Sequence, residues 1–272
     1  MPEGDTIFRA ARTLHRALAG RLVTRFESVY PALSRADVDT PLAGRSVVSV
    51  TSRGKHILMA FSGDLVLHTH MRMHGSWHIY RPGERWRAWP REMRLVVAVG
   101  TCEAVGFNVP IAEFLTGRQL ERHRQIQALG PDLADPAFDR AEVLRRMRDA
   151  GRGPVAELLL NQRVMSGIGN VLKSEILFVA GIDPFRPVPA IHDEALDRLL
   201  TVAVRLMAMN VVESKSMTLV IGRRTTGSLN PSATLWVYGR GGKPCRRCGA
   251  AISMRRTGAD ARLTYWCPRC QA

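Results

Sequence analysis

Two cysteine pairs near the C-terminus constrain this chain more than any other feature. Cys245-Arg246-Arg247-Cys248 and Cys267-Pro268-Arg269-Cys270 are CxxC pairs with eighteen residues between them, the spacing of a four-cysteine zinc ribbon. Four thiolates suit one tetrahedral Zn2+. Disulfides belong to oxidising compartments, and the chain carries no apolar secretory segment; a redox CxxC does not come as two pairs. With Cys245, Cys248, Cys267 and Cys270 all bound to the metal, no coordination position remains for a water, so the expected zinc is structural. It would fold a module too small for its own hydrophobic core and present Arg262 from a hairpin. The fifth cysteine, Cys102, reads as a core residue.

The same module concentrates positive charge. Residues 237–272 hold 8 Lys/Arg against 1 Asp/Glu, residues 1–124 hold 18 against 11, and residues 125–236 hold 13 against 12, within a formal net charge of +15. Basic charge gathered at both ends of a chain suits a polyanion gripped from two sides, and nucleic acid is the expected partner. A merely solubilising surface is the alternative, although it would not need to concentrate in a 36-residue tail. No run of 18 apolar residues is present, so membrane insertion is not expected and the cytoplasm is, at the nucleoid in a bacterium.

The chain reads as an α+β protein in three segments. In the first, 1–124, Asp5 and Thr6 can cap a helix to about Ala19, with Ile7, Ala11, Leu14 and Leu18 on one face and Gly20 ending it. Short alternating or β-branched runs follow, among them 46–50, 56–61, 65–68 and 94–99, separated by turn signals; they predict an antiparallel β-sandwich or barrel. Arg81–Arg94, rich in Arg and Trp, reads as an exposed loop. The second segment, 125–236, is helical, with helices expected at 141–149, 154–161, 170–179 and 192–210. The third, 237–272, is the zinc ribbon.

Four stretches carry chemical potential. If Met1 is removed, Pro2 bears a free secondary amine of pKa about 7.7–8.0, a usable nucleophile, and Glu3 can shuttle protons for it. Lys55, after Arg53-Gly54, can reach a phosphate as a point charge, the glycine leaving room for another backbone; a solvated strand-edge lysine is the alternative. His70-Met71-Arg72-Met73-His74-Gly75 is a turn whose long side chains could wedge into a base stack, with a core role for Met73 left open. Gly167-Ile168-Gly169-Asn170 leads into a helix whose backbone N–H groups could hold a phosphate with the Asn170 side chain as a further donor, unless the glycines are simple turn residues.

Taken together and in this order, Met1-Pro2-Glu3-Gly4, Arg53-Gly54-Lys55-His56, Gly167-Ile168-Gly169-Asn170 and Val237-Tyr238-Gly239-Arg240 with the ribbon resemble the formamidopyrimidine-DNA glycosylase/endonuclease VIII family over essentially the whole chain. The resemblance implies a helix–two-turn–helix motif in the helical segment and a bifunctional DNA glycosylase and abasic-site lyase. Pro2 would attack the sugar C1′ of a damaged nucleotide, Glu3 would move protons, and β- and δ-eliminations would cut the strand. It implies catalytic or phosphate-gripping roles for Lys55, His70, Asn170 and Arg262, and a loop of Arg72, Met73 and His74 that fills the gap left by an extruded nucleotide. The implied partner is double-stranded DNA containing oxidised bases or abasic sites, bound by a monomer.

Two departures refine this expectation. The family usually has a second carboxylate three residues after the first, where this chain has Thr6 preceded by Asp5, so Glu3 is the adjacent acid expected to act. Gly106-Phe107-Asn108-Val109-Pro110 replaces the Arg-Arg-Phe-Gly loop of the formamidopyrimidine branch, which favours the endonuclease VIII branch and oxidised pyrimidines. A glycosylase for 8-oxoguanine, or a non-catalytic zinc-ribbon protein that binds distorted DNA, are the alternatives.

Overall fold

The computed structural model describes residues 2–211, 223–228 and 230–271; Met1, whose removal the expected chemistry at Pro2 requires, lies outside the described residues. The chain divides into two compact units, Met1–Ala128 and Leu129–Ala272. The whole is the expected mixture of antiparallel sheets, a helical region and a C-terminal four-cysteine cluster. No helix among the described residues is long and apolar enough to cross a membrane.

The first unit opens with α1 (Gly4–Leu18), which begins earlier than the sequence suggested. Glu3 in extended backbone is the N-cap, and Asp5 sits inside the first turn, its Oδ1 accepting from the Thr6 amide at 2.7 Å. Asp5 and Thr6 therefore do not cap the helix; the acid instead meets the positive end of the helix dipole from within. Ile7, Ala11, Leu14 and Leu18 are buried as their spacing predicts, each large side chain contributing about 1.5–3 kcal/mol. Two polar ties fix the helix further. His15 Nδ1 accepts from the Val50 amide at 3.1 Å, and the buried Cys102 thiol donates to Ala17 O at 3.6 Å.

Then come β1 (Val23–Ser28), α2 (Pro31–Asp39), β2 (Val47–Arg53), β3 (His56–Phe61), β4 (Leu65–His70), β5 (Ser76–Tyr80), β6 (Met93–Val99), β7 (Cys102–Phe107) and β8 (Ile111–Leu115), followed by short helices α3 (Gly117–Glu121) and α4 (Arg124–Gln127). They make two four-stranded antiparallel sheets, ordered β1-β6-β7-β5 and β2-β3-β4-β8. Val50, Met59 and Leu67 of one sheet share a core with Leu95, Val97 and Ala104 of the other and with α1. The outer face of β6 is buried too: Val96 packs with Tyr80, Val105 and Phe107 under Trp86 and Met93. Burial on both faces explains why Leu95–Val99 is a continuous apolar run rather than an alternating one.

Gly54 and Lys55 form the two-residue turn of the β2–β3 hairpin, closed by the Arg53 and His56 pair. Gly54 has φ +60°, which an II′ hairpin turn assigns to glycine at its first position. The glycine serves the turn itself.

In the second unit, α5 (Arg140–Asp149), α6 (Val155–Leu160), α7 (Asn170–Ala180) and α8 (Asp193–Val211) share a core of Val143, Leu159, Ile176, Leu199 and Leu206. Near the C-terminus β9 (Ser253–Thr257) pairs antiparallel with β10 (Arg262–Trp266). All of Asn170–Phe178 is buried, including Lys173 and Glu175. Each charge has dedicated partners. Glu175 Oε1 accepts from the Val237 and Tyr238 amides at 2.9 and 2.8 Å, and Oε2 from the Trp236 amide at 2.8 Å and the Thr225 hydroxyl. Lys173 Nζ donates to Asn170 Oδ1 and Thr264 Oγ1, both at 2.7 Å.

Removing the Glu175 carboxylate leaves three backbone amides without their acceptor. Glu175→Ala should lower stability by roughly 3–5 kcal/mol, the cost of breaking a buried charged network from one side. Thermal or urea unfolding of the full chain checks this, with Glu175→Gln, which keeps one acceptor oxygen, falling between the two.

Candidate active site and zinc centre

Pro2 is partly exposed and precedes Glu3, which is fully buried where α1 begins. The backbone oxygen of Glu3 accepts the first helical hydrogen bond, from Ile7 N at 2.9 Å. The terminus is therefore the root of a packed helix. That gives an amine at Pro2 a defined position and an adjacent acid in a water-poor setting, the two conditions for a positioned nucleophile.

Lys55 and His70 come together through the second sheet. His56, next to Lys55, is registered opposite His70, and their rings meet edge to face with centroids 4.7 Å apart. Behind them lies a chain that no local pattern announced: His56 Nδ1 to His68 Nε2 at 2.8 Å, His68 Nδ1 to Glu113 Oε1 at 2.8 Å, and His123 Nε2 to the same oxygen at 3.1 Å. His68, Glu113 and His123 are close enough to hold a metal ion, but their hydrogen bonds assign them another role. His123 Nδ1 accepts from the Ile126 amide at 3.3 Å, so a neutral ring carries its proton on Nε2 and donates to Glu113. Glu113 is a carboxylate: burial alone would push its pKa up, yet the two histidine hydrogen bonds hold it below the usual range. It must accept from His68 Nδ1–H, which leaves His68 Nε2 to accept from His56 Nδ1–H.

Burial pushes His56 down to about 3 and His70 down to about 4, with Lys55 adding repulsion at both. His68 is lowered as well, burial outweighing its bond to Glu113. The rings are thus neutral near pH 7. The Arg72 amide donates to His70 Nδ1 at 3.0 Å, so the His70 proton sits on Nε2. A phosphate at His70 would meet a neutral N–H donor, and the local positive charge would come from Lys55.

The turn between β4 and β5 separates its methionines. Met71 is buried in the core whereas Met73 is 48% exposed, which sets aside a core role for Met73. Arg72, His74 and Met73 are all exposed. Arg72 has φ +45°, a left-handed conformation that costs a non-glycine residue of order 1 kcal/mol or more. The strain is held by the Gly75 amide bonding back to Met71 O at 2.9 Å, and a Cβ on Gly75 would lie 2.6 Å from that oxygen.

In the second unit Asn170 and Arg262 are neighbours. Asn170 Nδ2 donates to Leu263 O at 2.9 Å while its Oδ1 accepts from Lys173. The side chain expected as a phosphate donor is thus partly committed to the hairpin; Nδ2 retains one further hydrogen. Ser166 Oγ, buried just ahead of Gly167, has no hydrogen-bond partner among the described residues. Arg262 pairs with Asp260 at 3.1 Å. An ion pair this exposed is worth about 0–1 kcal/mol, so a phosphate can replace the carboxylate cheaply. Sequence reasoning missed Lys173, Glu175 and the histidine chain, since their partners lie far along the chain.

The four sulfurs of Cys245, Cys248, Cys267 and Cys270 lie within 4.8 Å of one another, with Cys245 and Cys270 at 4.0 Å and Cys248 and Cys267 at 3.5 Å. Zn–S bonds of about 2.3 Å in a tetrahedron put sulfurs about 3.8 Å apart, so the cluster fits one structural zinc. Phe178 of α7 packs with Val237 and Ile252 against Cys245 and Cys267.

Comparison with known proteins gives three successive family matches. The formamidopyrimidine-DNA glycosylase N-terminal domain matches residues 1–108, the formamidopyrimidine-DNA glycosylase H2TH domain residues 129–220, and a zinc finger found in FPG and IleRS residues 242–272. A Streptomyces coelicolor protein named probable endonuclease 8 2 is 41% identical over 275 residues, spanning 100% of this chain and 94% of its own. Endonuclease 8 2 of Mycobacterium tuberculosis is 37% identical over the full length of both chains, and a Mycolicibacterium smegmatis protein named DNA-(apurinic or apyrimidinic site) lyase Nei2 is 36% identical over 100% of this chain and 99% of its own. A Lactococcus lactis Fpg, solved with DNA containing an abasic site, superimposes with a TM-score of 0.81 over 99% of both chains at 21% identity, a likeness of fold.

Two outcomes follow from the site's chemistry. An unfolded histidine takes up its proton near 6.5, whereas His56 and His70 resist until about 3 and 4. Their contribution to stability is complete above about pH 6.5 and is lost as pH falls toward 4. The melting temperature should drop by roughly 5–10 °C between pH 7 and pH 5, and less steeply in His56→Phe. Metal analysis should find one zinc per chain, and stripping it with a chelator should unfold the ribbon, seen as lost protection of the 245–271 amides from hydrogen exchange.

Proposed function

Because the chain belongs to the formamidopyrimidine-DNA glycosylase/endonuclease VIII family, we propose that it is a base-excision-repair DNA glycosylase and abasic-site lyase acting on oxidised pyrimidines in double-stranded DNA. The observation that carries this reading is Pro2-Glu3 at the root of a packed helix, in a chain whose full-length relatives are named as endonuclease 8 or as an abasic-site lyase. The endonuclease VIII branch, and with it the pyrimidine preference that the resemblance implies, is supported by Gly106–Pro110, which lacks the arginine pair of the other branch.

In this reading residues 1–124 supply the chemistry, 125–236 the helix–two-turn–helix and 237–272 the ribbon. With Met1 removed, the Pro2 nitrogen attacks C1′ of an extruded nucleotide and the C1′–base bond breaks, its electron pair leaving with the base as Glu3 delivers a proton. The amine then loses its own proton and the sugar opens to an iminium ion. That cation acidifies C2′–H; loss of this proton expels the 3′ phosphate, and a second elimination expels the 5′ phosphate. Glu3, the adjacent acid, moves protons in these steps. Lys55 and Arg262 offer positive charge to backbone phosphates, while His70 Nε2 and Asn170 Nδ2 offer neutral donors. Arg72, Met73 and His74 occupy the gap in the stack. No second subunit enters this scheme, and the proposed active form is a monomer.

Borohydride reduction should trap the mature protein on DNA bearing an abasic site. An added residue ahead of Pro2 should abolish trapping, and Glu3→Gln should slow release of an oxidised pyrimidine by roughly 10²–10⁴-fold. Undiminished trapping by a chain with a blocked terminus would refute the role of Pro2.

A further inference from the structure

From Arg81 to Arg94, through the β5–β6 connection and into β6, the chain carries five arginines and two glutamates, with Trp86 and Trp89 among them. The two tryptophans have opposite fates. Trp86 packs on Phe107 with ring centroids 5.7 Å apart and helps close the outer core, while the Arg87 amide donates to the Tyr80 hydroxyl at 3.3 Å. Trp89 is 66% exposed, and the Arg91 guanidinium carbon lies 5.7 Å from its ring centre. What reads in sequence as a plain exposed loop is anchored by one indole and presents the other.

A single exposed apolar side chain is ordinary; its place in the fold is what matters here. Ser76 at the start of β5 and Met93 at the start of β6 are both registered to Phe107, on opposite sides of β7. The 81–92 segment leaves β5 at Tyr80, the other end of the strand, so it must run back along the sheet. It delivers the 3-10 turn Pro90–Glu92 to the end at which the Met71–Gly75 turn enters β5. One residue links the two. The Asn108 amide donates to Glu92 O at 2.8 Å, and a Cβ on Gly75 would lie 3.1 Å from Asn108 O. Arg94 Nη1 braces the turn through Arg91 O and Met93 O at 2.9 and 2.8 Å. Of the segment's acids, Glu84 is engaged by the Arg81 amide. The result is a braced indole beside arginine, at the same end of the sandwich as Met73.

We propose that Trp89 and Arg91 form a second nucleic-acid contact, in which an unpaired base stacks on the indole and a neighbouring phosphate pairs with the guanidinium. The inference rests on the reading that this chain acts on DNA. An indole needs the face of a base, which a paired base inside a duplex keeps covered and an unpaired one offers. A wedge that enters a stack leaves bases without partners, and Trp89 stands at that end. The ligand is therefore a single-stranded tract adjoining the lesion, and DNA with such a tract should be held more tightly than the corresponding full duplex.

The test uses the full chain and two labelled oligonucleotides with the same tetrahydrofuran abasic analogue, one fully paired and one with the analogue inside an unpaired bubble. By fluorescence anisotropy, Trp89→Ala should weaken bubble binding about tenfold and duplex binding by less than about twofold, with Trp89→Phe restoring most of the loss. Tryptophan emission should be quenched by the bubble in the wild type and much less in Trp89→Phe. Arg91→Ala should reduce the slope of log Kd against log salt on the bubble by about 0.7, one single-strand phosphate contact. Equal losses on both DNAs, or no loss on the bubble, would overturn the proposal. Borohydride trapping on a natural abasic-site duplex separates the two readings. If the wild type fails to trap, the DNA-enzyme reading falls; if it traps and Trp89→Ala still binds the bubble normally, only the Trp89 contact falls.

Discussion

Four donors converge on the buried carboxylate of Glu175, and through them α7 dictates where the chain near Thr225 and from Trp236 to Tyr238 runs. Lys173, half a turn earlier on the same helix, reaches Thr264 in the hairpin and Asn170 at the helix start. A buried ion is costly unless its partners are complete, and a nearly complete set admits little variation in geometry. Lys173 thereby fastens the strand that carries Arg262 to the helix that carries Asn170, while Glu175 ties that helix to Thr225 and to residues 236–238. The zinc does the rest. A ribbon whose buried apolar residues are so few cannot hold itself together, so the cysteine cluster and Phe178 of α7 share the task.

The first unit follows a related logic with neutral groups. Glu113 holds two histidine N–H donors, and His68 passes the direction of its hydrogen bond to His56, whose ring packs on His70. Every proton position in that row is set by its neighbour, beginning from backbone amides at Ile126 and Arg72. The rings by Lys55 are consequently donors and acceptors of fixed sense that carry no charge near neutrality. Cationic histidines there would compete with Lys55 for the same anion and would carry a large desolvation cost.

The sequence made legible whatever depends on short spacing. The two CxxC pairs, the apolar face of α1 and the periodic helices of the second unit all declare themselves within a few residues, and the structure places them close to where their patterns put them. Helix α2 is short and its single buried residue, Leu33, makes no periodic signal. Glu175 and its amides are separated by about 60 positions, and His68 and Glu113 by 45; no local pattern encodes such a pairing. Asp5 shows the limit at closer range. An acid ahead of a helix and an acid in its first turn obey the same dipole preference, so propensity alone could not choose between them.

Strain adds a final step. Arg72 adopts a left-handed conformation that its side chain disfavours, and Gly75 admits no Cβ because the Met71 carbonyl occupies that space. Holding the turn tight keeps Met71 in the core while Met73 projects into solvent. An apolar side chain held outward loses little further entropy when it enters a base stack, whereas a floppy one would lose more. The same reasoning extends along that end of the sandwich to Trp89. Its indole is held outward by a braced 3-10 turn that meets the Met71–Gly75 turn at Asn108, so the two apolar projections share one support.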